Sequence, residues 1–288
     1  METKELIKKI QRLDIKTKGL TKHIFSGEYH SAFKGRGMTF SEVRDYQFGD
    51  EVRTIDWNVT ARFNDPYVKV FDEERELTVM LIIDVSGSED FGTTEKTKKD
   101  LALELAAVLS FSAISNNDKV GAIFVSDKME KYIAPGKGKK HALIILRELI
   151  EFKPTSTGTN ISEGLKFFRN TQKKRSIAFV LSDFMDSNNY MEALKVARRK
   201  HDMVALRLVD DAEKNLPSMG IVQLFNAETG QTTWVNSSSQ KAQDLHKKNF
   251  EDFEEKLNKE FKKSGIDCAT ISTEEDFIKP LVKLFQNR

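Results

Sequence analysis

Apolar positions along this chain follow two different periods, and the alternation between them outlines the fold. Residues 77–83 read Leu-Thr-Val-Met-Leu-Ile-Ile and stop at Asp84. A short unbroken apolar run with several β-branched members predicts a strand buried on both faces of a parallel sheet. Ile177–Leu181 repeats the pattern and ends on Ser182-Asp183, and Val204–Val209 and Ile266–Ile271 are further runs of the kind. Lys119–Val125 and Lys128–Ala134 read as two strands joined at Ser126-Asp127. Between the runs the period becomes helical. Leu101, Leu105, Val108, Leu109 and Ser112 recur within Asp100–Ser115, and Ile161, Leu165 and Phe168 form a second such stripe. Helices are also predicted over Lys140–Phe152, stopped by Pro154, and over Tyr190–Lys200, Gln240–Lys263 and Glu274–Phe285. Residues 221–235 break the alternation with two short β runs around Glu228-Thr229-Gly230, a hairpin pattern. Strands alternating with helices argue a doubly wound, mostly parallel α/β sheet with helices on both faces, formed by residues 76–288.

Residues 1–75 are patterned differently. Leu6, Ile7, Ile10 and Leu13 give one narrow helical stripe, and Ser26–Gly37 reads as a loop. From Ser41 to Arg75 the charges Arg44, Asp45, Asp50, Arg53, Asp56 and Arg62 interleave with Tyr46, Trp57 and Phe63. This segment is expected to pack on the main domain, with Trp57 and Phe71 as apolar anchors. The alternating charges serve either as an ion-pair network that docks it or as a recognition surface.

The chemistry concentrates where the buried runs stop. In open α/β sheets, ligands bind just beyond the carboxyl ends of the strands. Asp84, Ser86 and Ser88 follow the first run, Asp183 follows the second, and Thr157-Gly158-Thr159-Asn160 precedes an amphipathic helix. Three hydroxyls and two carboxylates form a hard, oxygen-only donor set suited to Mg²⁺. Direct ligation by Ser86, Ser88 and Thr159 is expected, with Asp84 and Asp183 orienting metal-bound waters. A strand-end Asp taken alone is as well explained as a turn former or helix cap. The spacing D-x-S-x-S, followed in order by the Thr loop and a second strand-end Asp, is far more specific.

The set Asp84-Val85-Ser86-Gly87-Ser88, Thr159 and Asp183 resembles the metal-ion-dependent adhesion site of a von Willebrand factor A domain. Upstream, Gly35-Arg36-Gly37-Met38-Thr39-Phe40, Arg44-Asp45-Tyr46, Gly49-Asp50 and Arg53-Thr54-Ile55-Asp56-Trp57 resemble the bacterial domain-of-unknown-function family number fifty-eight. That family is von Willebrand A-like and is often encoded beside MoxR-type AAA+ ATPases. The resemblance implies a bound divalent cation with one position open for a partner's acidic side chain, and a MoxR-type AAA+ ATPase as partner. Relatives often carry membrane helices ahead of this region, which are not legible here.

Composition adds mainly exclusions. The chain has 288 residues, enough for one large core and a smaller attachment. With 31% charged residues and a net charge of +2, neither nucleic-acid binding nor an acidic tail is signalled. The single cysteine, Cys268, excludes an intramolecular disulfide and is expected to be a packed thiol. No stretch approaches the ~20 apolar residues of a membrane span, and the N-terminus lacks an apolar signal core, so a cytoplasmic location is expected. Gly136-Lys137-Gly138-Lys139-Lys140 fails the phosphate-loop spacing, and the five histidines are scattered. The reading is thus a non-enzymatic, Mg²⁺-dependent interaction adaptor with no catalytic residues. The alternative is a metal-dependent, phosphatase-like hydrolase using Asp84 and Asp183, disfavoured by the lack of a nearby His or Lys base.

Overall fold

In a computed structural model of the chain, the described residues are 39–63, 65–72, 77–90, 92, 96–156, 158–225 and 232–286. The stripe from Leu6 to Leu13 and the loop Ser26–Gly37 lie outside them. A six-stranded sheet forms the centre: β3 (Thr78–Asp84), β4 (Lys119–Val125), β5 (Met129–Gly136), β6 (Ile177–Ser182), β7 (Asp202–Val209) and β10 (Asp267–Ser272), in the spatial order β10-β7-β6-β3-β4-β5. All neighbours are parallel except β4 and β5, which are antiparallel. The three-residue link Ser126–Lys128 can close only a hairpin, because a parallel return needs a long crossover.

Each unbroken apolar run feeds two cores at once. Val79, Leu81 and Ile83 of β3, with Ile177, Phe179 and Leu181 of β6, face one core. It is closed by α2 (Lys98–Ser115), α3 (Lys139–Glu151) and α8 (Ile278–Gln286). Met80 and Ile82, with Ala178 and Val180, face the other, closed by α4 (Ile161–Thr171), α5 (Tyr190–Arg198) and α7 (Gln240–Ser264). Successive side chains on a strand alternate faces, so a strand covered on both sides shows no polar alternation. The architecture is therefore the doubly wound, mostly parallel α/β sheet expected from the pattern. Gly164 lets α4 lie close on the sheet: a Cβ there would meet Val125 at 3.1 Å.

Two elements differ from the sequence expectation. The last helix begins at Ile278, not Glu274, after a turn capped by Asp276. A one-turn helix, α6 (Asp211–Lys214), follows β7 and has no counterpart in the expected elements, being too short for periodicity to register. The expected hairpin is present as β8 (Ile221–Phe225) paired antiparallel with β9 (Thr232–Asn236); its turn lies outside the described residues.

Ahead of the sheet, β1 (Thr39–Asp45) and β2 (Tyr67–Asp72) pair antiparallel around α1 (Trp57–Phe63). Val68 is buried, in neither sheet core. Trp57 is 65% exposed, which corrects its expected role as an apolar anchor. It occupies the first position of a seven-residue helix, where the ring is turned outward; Phe71's side chain lies outside the described set. The charged series makes local pairs. Arg44 donates to both oxygens of Asp50 at 2.7 and 2.8 Å, and Lys69 lies 3.5 Å from Asp56.

Candidate metal centre

The strand order reverses between β3 and β6, and this switch point is where a doubly wound sheet opens a crevice at its carboxyl edge. The register that pairs Ile83 with Leu181 brings Asp84 level with Ser182. Ser182 Oγ donates to Asp84 Oδ2 at 2.7 Å and accepts from the Phe184 amide at 3.0 Å. The other oxygen, Asp84 Oδ1, accepts from the Ser86 amide at 3.0 Å. Asp84 and Asp183, each 2% exposed, are therefore brought together by strand pairing, as the two runs imply.

The turn after β3 carries the hydroxyls. Ser86 is buried and Ser88 half-buried, with 3.1 Å between their Oγ atoms. Thr159 is also buried and sits on the loop before α4. That loop is fixed to the turn after β6: Asn188 donates to the Thr159 carbonyl at 3.0 Å, and Asp186 accepts from the Ile161 amide at 2.8 Å, capping α4. The backbone on that turn is held in an unusual conformation. Phe184 has φ of 59°, a left-handed conformation that costs a bulky residue about 1–3 kcal/mol. Its ring is buried against Tyr190 and Phe261, with centroids 5.8 and 5.2 Å away, and this packing holds the conformation. The consequence is local: Asp183 Oδ1 accepts from the Met185 amide at 2.9 Å, which orients the carboxylate.

Two charged residues at the site were not among the sequence candidates. Glu89, in the 3-10 turn Gly87–Asp90, is 2% exposed, and neither carboxylate oxygen has a hydrogen-bond partner. Asp84, Glu89 and Asp183 each present an oxygen within 4.8 Å of the other two, a spacing one cation can bridge. A cavity of about 10 Å³, room for about one water, is lined in part by Asp84, Ser86 and Glu89. A larger cavity of about 770 Å³ lies at the edge strand β10 and α8, not at the switch point.

The second is Lys98, 1% exposed, whose Nζ donates to Asp183 Oδ2 and to Glu213 Oε1, both at 2.7 Å. A lysine in the first turn of a helix opposes the helix dipole. Its place there is explained by the acids it faces. The helix starts at that residue because Thr97 and Asp100 form a reciprocal capping box, and a second box, Asp210 with Glu213, sets Glu213 in α6. The T-x-x-D signature before the apolar run is the one sequence signal that places Lys98 at a helix start. Its charged neighbourhood otherwise reads as a solvated surface.

The electrostatics follow from burial. Burial, and then the Asp183 charge, push the Asp84 carboxyl up to about 7. Burial likewise raises Glu89 well above the usual carboxylate range, with Lys98 pulling it back in part. Burial alone would lower Lys98, but the charges of Asp183, Glu89 and Glu213 outweigh it and hold the amine above the ordinary lysine value, hence protonated. Glu213 is raised by burial despite Lys98. A site of this kind stores unfavourable carboxylate charge that a divalent cation would relieve. Its donors are all hard oxygens, which fit Mg²⁺, Mn²⁺ or Ca²⁺.

The fold and site together define a doubly wound α/β protein with an acidic, hydroxyl-rich centre at its switch point. Residues 42–256 match the family described as "Protein of unknown function DUF58", and the chain belongs to that family. It is 30% identical over 223 residues to "Uncharacterized protein Rv1480" of Mycobacterium tuberculosis, covering 77% of this chain and 70% of the relative. A Mycobacterium avium relative, "Uncharacterized protein MAV169", is 24% identical over 135 residues, 47% of this chain and 79% of its own. Among solved structures, the conserved hypothetical protein BatB from Bacteroides thetaiotaomicron is similar with a TM-score of 0.48 at 16% identity, covering 73% of this chain and 98% of its own. The SpRpn10 VWA domain gives 0.41 at 12% identity, with 72% and 94% covered. No helix among the described residues is long and apolar enough to cross a membrane.

Proposed function

We propose that the protein is a non-enzymatic interaction adaptor whose binding of partners depends on a divalent cation, Mg²⁺ in the first instance, at the switch point. The observation that supports it most strongly is the convergence of Asp84 and Asp183 from separate strands beside the Ser86–Ser88 turn. Asp84, Ser86, Ser88, Thr159 and Asp183 would hold the ion. The bound ion would supply positive charge at a position where a partner's Asp or Glu can dock. The family resemblance points to a MoxR-type AAA+ ATPase as the partner that presents or receives that acid.

Lys98 bears on the hydrolase alternative. It is a lysine at the site, yet it cannot accept a proton while Asp183, Glu89 and Glu213 hold it as the ammonium. Lys98 therefore does not supply the His or Lys base whose lack disfavours that alternative.

The test is complex formation between this chain and the MoxR-type ATPase, measured with Mg²⁺, with EDTA and across a salt series. The adaptor reading expects binding that needs Mg²⁺ and is lost in Ser86→Ala and Thr159→Ala at unchanged fold. Binding that ignores EDTA and weakens with salt would move the contact to the Arg44–Arg62 surface.

A further inference from the structure

Glu89 has no place in the five-residue pattern, and its surroundings give it no other role. A carboxylate removed from water is costly unless it is hydrogen-bonded or bound to a cation. Neither oxygen of Glu89 accepts a hydrogen bond, although the side chain is 2% exposed. Lys98 attracts it electrostatically, but its ammonium donates to Asp183 and Glu213. The carboxylate instead lies with an oxygen within 4.8 Å of both Asp84 and Asp183. Two ligands on one hard cation, each about 2.1–2.5 Å from it, lie at most about 5 Å apart, so this spacing admits a shared ion. The turn that carries Glu89 is fixed by its own amide, which donates to the Ser86 carbonyl at 3.1 Å.

We propose that Glu89 is a direct ligand of the divalent cation, a third carboxylate beside Asp84 and Asp183, contributed by the same turn as Ser86 and Ser88. The inference rests on the cation reading of the preceding section and deepens it. A third carboxylate raises the negative charge around the ion, so this centre holds its cation more tightly than one built mainly from neutral hydroxyls. It also weakens the cation's pull on an outside acid, so a partner's carboxylate competes with Glu89 for the ion. Lys98, 2.7 Å from Asp183, limits the excess negative charge.

The experiment titrates Mn²⁺ into the full chain, reading free Mn²⁺ by electron paramagnetic resonance and metal-bound water by proton relaxation. Wild type, Glu89→Gln and Asp84→Asn are compared. The expected result is that Glu89→Gln weakens Mn²⁺ by about tenfold or more and adds an exchangeable water to the bound ion, while Asp84→Asn weakens it further. Equal affinity and water count in wild type and Glu89→Gln, with loss in Asp84→Asn, would overturn the role of Glu89 and leave the cation centre standing. No saturable Mn²⁺ binding by wild type would overturn both. Replacing an unpaired buried carboxylate by an amide should leave the cation-free chain folded. If Glu89→Gln does not fold, Glu89→Asp carries the test: it keeps the charge, withdraws it by one methylene, and must bind Mn²⁺ more weakly than wild type. Unchanged affinity in that variant overturns the proposal.

Discussion

Two ion pairs of the same length sit in opposite surroundings. Lys98 meets Asp183 at 2.7 Å with side chains 1% and 3% exposed; Arg44 meets Asp50 at 2.7 Å with side chains 40% and 20% exposed. In the first pair, burial raises the cost of every unbalanced charge, so Lys98, Asp183, Glu213, Glu89 and Asp84 behave as one set. In the second, water screens both partners, and the bidentate geometry does little beyond fixing the turn from Asp45 to Asp50. Distance alone does not rank interactions; the dielectric around them does.

The comparison breaks most visibly at Lys98. Lys98→Met should destabilise the cation-free chain by about 3–5 kcal/mol, because Asp183 and Glu213 would lose their shared counter-charge inside the fold. Urea unfolding measures this, and added Mg²⁺ should return part of the loss. A variant as stable as wild type in EDTA would mean that the acids are already neutral and the set is not coupled.

Next in size is a pH dependence confined to the site. Asp84 titrates near 7 in the fold, against about 3.9 in the unfolded chain. Its folded form therefore binds the proton more tightly. The stability this contributes is complete below about pH 4 and is lost as pH rises through about 7. The loss is on the order of 2–4 kcal/mol in EDTA, and Asp84→Asn should remove it. Urea midpoints at pH 5 and 8 for both proteins check the sign. An unchanged slope in Asp84→Asn would assign the effect elsewhere. Mg²⁺ should flatten the wild-type slope, since the ion favours the ionised carboxylate.

The smallest effect is expected at the exposed pair. Arg44→Ala should leave the melting temperature within the scatter of replicate scans at physiological salt. A clear drop would show that the pair, with Gln47 and Asp50 in its turn, helps hold the N-terminal unit in place.

Much of the architecture was legible because the sheet is covered on both faces. That coverage turns β3 and β6 into unbroken apolar runs, and their polar ends necessarily lie at the carboxyl edge of the sheet. The pairing of Asp84 with the Ser182-Asp183 end follows from the same pattern, since both runs stop at equivalent points. Trp57 departs from the pattern: an aromatic in a charged segment reads as an anchor, but its helix is too short to bury a face.

What the sequence determined by itself was the period of each element and the residue types at the strand ends, because both are local and fixed by backbone geometry. The roles of Glu89 and Lys98 were decided only by the tertiary structure. Beyond the Thr97–Asp100 capping signature, nothing adjacent in sequence marks Lys98 as buried, and nothing distinguishes Glu89 from a solvated turn acid. Their character comes from the removal of water and from Asp183, 85 positions away from Lys98, and burial of that kind exists only once the strands have paired.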